Sequence, residues 1–305
     1  ELSTLDRIGL ANDAYALQRA GIIPQTQYLE LARSYRDEIE HPVWSEISTG
    51  LSEIMNLLTD EPYYKNLRGF VRDIFMPLAQ RMTWDPNPDE HELAPMLRAL
   101  ALAQMAHCGD HETIEEARQR FAILCQSGSI DPNLRTVVCN TSARHGRKAT
   151  YNALLGLYRN ASSKEEQMAY MQAMGQFRDK ALLVKTLEFA MSGEVRHENI
   201  AHAINPVASN PAGKDPAWQF FKDNHTEIRE RFARSMFLLG RIVKGVVSEF
   251  TTQEARDEIA QFFKQHPIPE ASMALAQALE RVDINIAWLA KNREEIGRWL
   301  TGQQK

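Results

Sequence analysis

Side chains that could ligate a metal or attack a carbonyl are few in this chain. There are three cysteines, Cys108, Cys125 and Cys139, and nine histidines. The tightest grouping is His107-Cys108-Gly109-Asp110-His111. A structural zinc site takes about four ligands, usually from paired CxxC or CxxC…HxxxH sets. This chain has neither a CxxC nor a second cluster. Gly109-Asp110 followed by Glu112 and Glu115 instead predicts a turn between helices, with acids in the next helix's first turn. An odd, low cysteine count over this length makes no disulfide framework. The expectation is therefore small buried hydrophobes in a reducing compartment.

Hydrolytic chemistry fares no better. A metalloprotease needs HExxH, two histidines one helical turn apart with a glutamate base. His91-Glu92-Leu93-Ala94-Pro95 begins that way, but proline stands where the second histidine is required, and His111-Glu112-Thr113-Ile114-Glu115 fails similarly. His41, His145, His197, His202, His225 and His266 are scattered and read as surface or helix-end residues. No GxSxG, GxxxxGK[ST] or GxGxxG occurs. Cys139 lies six residues before His145 without an orienting acid nearby. No catalytic or metal-binding residue is assigned, no cofactor is expected in this chain, and the chain alone is not expected to be an enzyme.

One charge pattern remains. Between Pro132 and Lys164 there is no acid, while Arg135, Arg144, Arg147, Lys148, Arg159 and Lys164 are basic. The plain reading is solvated faces around a helix–turn–helix junction at Arg144-His145-Gly146-Arg147. The functional reading is capture of an acidic group or a peptide's terminal carboxylate, with Arg135, Arg144, Arg147 and Lys148 as the candidate substrate-binding residues. Over the whole chain 35 basic residues face 40 acids, a formal charge of −5, which argues against a nucleic-acid partner. Composition is that of an ordinary globular protein, 44% hydrophobic and 25% charged. No apolar run is long enough to span a bilayer and no signal peptide opens the chain, so a cytoplasmic location is expected.

The elements that must carry these residues are helices. Leu275, Leu279, Val282, Ile286 and Leu289 form one stripe at 3.6-residue period, as do Leu239, Ile242, Val243, Val246 and Phe250. Tyr151, Leu154, Leu155 and Tyr158 repeat it, and so do Leu183, Leu187, Ala190 and Met191. Met168, Met171 and Met174 read as packing residues. Capping boxes are expected at Ser3-x-x-Asp6 and Ser163-x-x-Glu166. Stops are expected at Gly21, Gly128, Gly193 and Gly213, and at Pro86-Asn87-Pro88 and Pro267-Ile268-Pro269. The one strand-like run, Arg135 to Cys139, has no partner and is read as helix. These signals predict an all-α protein of about 15 helices, joined by short turns into antiparallel hairpins. Hairpins of roughly 35–45 residues that touch mainly their sequence neighbours build a curved superhelix of the HEAT or armadillo kind. Asp85-Pro86-Asn87-Pro88-Asp89 reads as a loop, leaving one solenoid domain over residues 1–305.

Several blocks, in order, resemble the C-terminal helical domain of M1 zinc aminopeptidases (the aminopeptidase N, puromycin-sensitive and endoplasmic-reticulum types). The first is Asp131-Pro132-Asn133-Leu134-Arg135-Thr136-Val137-Val138-Cys139-Asn140, with Gly146 and Tyr151 beyond it. Asn210-Pro211-Ala212-Gly213, Ala217-Trp218-Gln219-Phe220-Phe221 and Asn224 follow. Then come Phe250-Thr251-Thr252 with Phe262-Phe263, and Gln277-Ala278-Leu279-Glu280 with Asn285-Ile286-Ala287-Trp288-Leu289 and Trp299-Leu300. Asp6-Arg7, Leu10 and Asp13-Ala14 are similar to the family's domain start. Two departures stand out. His225 replaces the family's usual tryptophan, and the cysteines of the animal enzymes' disulfide fall, by register, at Ala106 and Thr113.

The resemblance implies a curved helical bowl that closes over a catalytic domain and contacts the far end of a peptide substrate. It also implies that zinc and the catalytic groups lie in domains preceding this one. The partners implied are the catalytic and N-terminal domains of the same polypeptide, and peptides. The start at Glu1, without methionine, fits a domain boundary. A free-standing HEAT-like interaction scaffold is the alternative.

Overall fold

The computed structural model describes residues 2–87, 89–233 and 235–302, and among these it contains fifteen α-helices and no strand. Glu1 and Pro88, which enter the expectations above, lie outside the described residues. The chain divides into two compact units, Glu1–Glu116 with Ala287–Lys305, and Ala117–Ile286.

The first unit holds α1 (Thr4–Arg19), α2 (Gln25–Ser34), α3 (His41–Leu57), α4 (Tyr64–Met82) and α5 (Ala94–Cys108). It also holds the first turns of α6 (His111–Ser127) and the C-terminal part of α15 (Ser272–Gly302). Helix α1 starts on the expected box. The Ser3 hydroxyl accepts from Asp6 N at 3.2 Å, and the Asp6 carboxylate accepts from Ser3 N at 3.1 Å. Its core centres on Trp44 and Phe75, rings 4.8 Å apart, among Tyr28, Leu51, Leu67 and Val71. Emptying a core position of Trp44's size costs about 3–5 kcal/mol. The C-terminal part of α15 is fastened by polar bonds as well. Trp288 Nε1 donates to the buried Gln18 Oε1 at 2.9 Å, and Lys291 Nζ to Gly21 O at 2.7 Å. Arg98 is the one arginine among this unit's buried residues. It pairs with Glu90 and donates Nε to Met82 O at 3.0 Å, joining Glu90 to the end of α4.

The second unit runs from the rest of α6 through α7 (Pro132–Arg144), α8 (Lys148–Arg159), α9 (Lys164–Met174) and α10 (Lys180–Met191). It continues with α11 (Ile200–Ala208), α12 (Lys214–Phe232), α13 (Met236–Val247), α14 (Gln253–Gln265) and the start of α15. Principal packing joins each helix to its neighbour or next-but-one: α7 with α8 and α9, α9 with α11, α10 with α11 and α12, and α11 with α12 and α13. That pattern is what stacked helical hairpins produce. The 135–139 run lies inside α7.

Three expectations change in detail. Gly213 is the N-cap of α12 rather than the stop of the helix before it, which ends at Ala208. The second capping box is half formed. Ser163 accepts from Glu166 N at 3.2 Å, but the Glu166 carboxylate turns to Ser162, accepting from its N at 2.8 Å and its hydroxyl at 2.9 Å. Cys125 is exposed, whereas Cys108 and Cys139 are buried as expected.

Candidate functional site

The basic stretch 132–164 folds into the α7–α8 hairpin and the turn leading to α9. Helix α7 is set by Asp131, whose carboxylate accepts from Asn133 N at 2.9 Å, and by Pro132 at the first helical position. It closes at His145, and Gly146 makes the turn. A Cβ at Gly146 would sit 2.5 Å from Ser142 O and 2.6 Å from Thr150 Oγ1, so this junction tolerates no side chain. Helix α8 then starts at Lys148 with Arg147 as N-cap in extended conformation and no side-chain cap bond.

The four candidate cations do not form one cluster. Arg135 lies near the start of α7 and Arg144 at its end, nine residues and about 13 Å of helix axis apart. Arg135 Nη2 is 3.1 Å from Glu166 Oε1, both side chains being largely buried. The Ser162 N–H and hydroxyl hold the Glu166 carboxyl below the usual carboxylate range, with Arg135 adding to it. Arg135 is therefore committed to an acid supplied by α9.

The other three share the α7–α8 junction. Arg144 Nη2 donates to Gln176 Oε1 at 2.9 Å, and Arg118 Nη2 reaches His145 O at 3.1 Å. Arg147 and Lys148 are exposed. The first N–H groups of α8, without a side-chain cap, add positive potential at this spot. Behind it the fully buried Tyr151 ring carries Lys185 Nζ at 4.9 Å from its centroid. Arg159, at the far end of α8, is paired with Glu194 at 2.7 Å. Sequence windows could not reveal Glu166, Glu194, Gln176, Arg118 or Lys185, because each comes from another helix or turn. The junction can attract a carboxylate.

Elsewhere the candidate chemistry resolves into structure. Gly109 terminates α5 at φ 83°, and Asp110 accepts from Thr113 N at 3.0 Å at the start of α6, so the 107–111 segment is a helix stop followed by a start. Burial pushes the Cys108 and Cys139 thiols up to about 12, which leaves them un-ionised at neutral pH. Among the described residues no three histidine, cysteine or acidic side chains converge as a closed metal site would need. His225 packs edge-on against Phe262, centroids 5.5 Å apart, lies 4.4 Å from the His266 ring, and places Nδ1 2.9 Å from Lys222 O. It is a packing residue of the Trp218–Phe221–Phe262–Phe263 aromatic cluster.

The motif residues perform a repeated structural task. Asn210 Nδ2 donates to Gly175 O at 2.9 Å and Phe177 O at 2.7 Å, tying the turn between α9 and α10. Asn285 Nδ2 donates to Ser248 O at 3.0 Å and Phe250 O at 3.3 Å, tying the turn between α13 and α14. Thr252 caps α14 by accepting from Ala255 N at 3.3 Å, and Trp218 Nε1 bonds Glu258 Oε1 at 3.0 Å.

The second unit is thus a set of helical hairpins tied at their turns by Asn210 and Asn285, with a cationic junction between α7 and α8. The profile of the ERAP1-like C-terminal domain family matches residues 1–284, and the chain belongs to that family. Similar proteins are aminopeptidases. Aminopeptidase M1-D of Oryza sativa subsp. japonica is 31% identical over 306 residues, covering 97% of this chain and 34% of the relative. Aminopeptidase 2 of Candida albicans is 28% identical over 309 residues, covering 100% and 33%. The alanine/arginine aminopeptidase of Saccharomyces cerevisiae is 26% identical over 303 residues, covering 98% and 35%. The chain thus spans about a third of the length of these relatives, and the matched part is their C-terminal third. No helix among the described residues is long and apolar enough to cross a membrane.

Proposed function

We propose that this chain acts as the non-catalytic C-terminal domain of an M1-type zinc aminopeptidase. In this reading it is one solenoid domain that closes over an active site held by preceding domains and contributes to peptide access and binding. The observation that carries it is the match, end to end, to the C-terminal third of aminopeptidases. Zinc and the catalytic groups then belong to the preceding part. The partners are those domains and the peptide itself, and three free thiols suit a cytoplasmic setting.

Helix α1 supports the reading. It buries Ala11, Ala14 and Gln18 and leaves Leu5 exposed by 80%, Leu10 by 43% and Leu17 by 38%. Exposed leucines of this kind suit a surface that another domain covers.

Within this function Arg144, Arg147 and Lys148 attract the distal carboxylate of a bound peptide, and Arg135 fixes the α7–α9 packing that presents them. Remote binding energy of this kind orients the scissile bond, and closure excludes water. The test is a deletion. A polypeptide that retains the preceding domains but lacks these 305 residues should lose discrimination between peptides and aminoacyl amides. An open reading frame without an upstream HExxH and downstream glutamate would instead favour a free-standing interaction scaffold.

A further inference from the structure

Two histidines far apart in the chain meet in the second unit. His225 lies on α12, and His266 is the residue that closes α14. Their ring centroids are 4.4 Å apart, with the planes inclined at 58°. Both rings rest on Phe262, His225 edge-on at 5.5 Å and His266 tilted at 4.7 Å. Phe262 is itself held against Trp218 at 5.2 Å and Phe263 at 5.4 Å. The pair therefore sits on a packed aromatic floor, which limits how far either ring can swing. Both imidazoles are only half-buried, so a solvated ion can reach them.

The hydrogen bonding of His225 adds a second, independent observation. Its Nδ1 stands 2.9 Å from Lys222 O. A carbonyl oxygen can only accept, so Nδ1 carries the proton and Nε2 keeps its lone pair. Metal-ligating histidines share this arrangement: the second ring nitrogen donates to a carbonyl, which fixes the tautomer and the ring. Beside Nε2 lies the hydroxyl of the exposed Thr226, at 3.3 Å, a long contact that a metal ion can displace. The cations nearest on α12 are already matched by acids. Lys222 Nζ lies 2.7 Å from Glu258 Oε1, and Arg229 Nη2 lies 3.2 Å from Glu270 Oε1.

We propose that His225 and His266 bind a divalent transition-metal ion, with Nε2 of His225 as one ligand, a ring nitrogen of His266 as the second, and water in the remaining positions. Imidazole suits copper, nickel and zinc, whereas magnesium and calcium take oxygen ligands. Among the described residues no third histidine, cysteine or acid joins the pair, so the site is open, unlike the four-ligand sites of structural zinc. Two neutral nitrogens then rank the metals in the ordinary order, copper(II) above nickel(II) and zinc(II). The bound ion ties α12 to the end of α14 and stabilises the second unit by mass action.

The test is calorimetric titration of the 305-residue chain with the chlorides of copper(II), zinc(II) and magnesium in a non-coordinating buffer. Copper(II) should occupy a single strongest site, zinc(II) should bind it about tenfold or more weakly, and magnesium should not bind. His225→Phe and His266→Phe each keep an aromatic ring on Phe262 while removing the ligand. Each should lower copper(II) affinity about tenfold or more, and copper(II) should raise the Tm of the parent chain but of neither variant. A further readout needs no variant: the electron paramagnetic resonance spectrum with one equivalent of copper(II) should show coupling to two imidazole nitrogens. Full affinity in either variant, or coupling to a single nitrogen or none, would assign the metal to histidines elsewhere and overturn the proposal. Absence of copper(II) binding, or magnesium binding as well as copper(II), would overturn it equally.

Discussion

The turns held by Asn210 and Asn285 and the turn at Gly146 are solved by different means. At the first two, one short amide satisfies two backbone carbonyls of a neighbouring turn, at 2.7 to 3.3 Å. At the third, glycine permits a close backbone approach, Arg118 reaches in from α6 to His145 O, and Arg144 at the end of α7 reaches out to Gln176. A buried two-bond amide has no slack and no spare donor, so it can only hold. An arginine–glutamine contact beside two exposed cations holds weakly and retains charge that faces solvent. The amide joints therefore hold the stack, while the α7–α8 junction leaves Arg147 and Lys148 facing solvent.

The largest effect should come from the buried joint. Asn285→Ala leaves two carbonyls without donors and should lower stability by about 2–3 kcal/mol in urea unfolding. Asn210→Ala, at a half-buried site, should cost about 1–2 kcal/mol by the same measurement. A cost under half of that for Asn285→Ala would mean water replaces the amide, and the contrast between the two kinds of turn would weaken.

Gly146→Ala comes next, at about 1–3 kcal/mol, because its methyl group would press on Ser142 O. An unchanged Tm would show that the junction yields, making it looser than described.

The Arg135–Glu166 pair should matter less, and its contribution depends on pH. The folded-state carboxyl of Glu166 is held below its ordinary value of 4.5. Its stabilisation is therefore fully present above that value and is lost as pH falls through the lower folded value. Glu166→Gln should be destabilising at neutral pH and should converge with the parent chain in acid, measured as Tm against pH. A constant gap at every pH would assign the effect to packing instead of charge. The smallest stability effect should be that of Arg147→Glu with Lys148→Glu, within about 0.5 kcal/mol, since both side chains are exposed.

How far this was legible in the sequence follows from the range of each signal. Helix identity is local: apolar residues at 3.6-residue spacing, with Ser3 and Ser163 as caps, indicate element type, and the structure adds Asp131 and Thr252 as caps. The joint asparagines lay in blocks picked out by resemblance to a family, and their bonding partners were not visible. What stayed hidden is long-range pairing. The acid-free window around Arg135 and Arg159 looked like a continuous positive patch, but Glu166 and Glu194 enter from 31 and 35 residues away and neutralise both ends. Gly213 resembled a stop because glycine serves either end of a helix. The His225–His266 pair was invisible, because its members come from α12 and the end of α14, far apart in sequence.

The central claim is that the junction's free charge serves the far end of a peptide. In a polypeptide that joins this domain to the proposed aminopeptidase catalytic domain, Arg147→Glu/Lys148→Glu should raise KM for a ten-residue peptide several-fold at low salt. It should leave KM for a single-residue amide, and kcat for both, essentially unchanged. An equal change for the peptide and the amide, or none for either, would contradict the account.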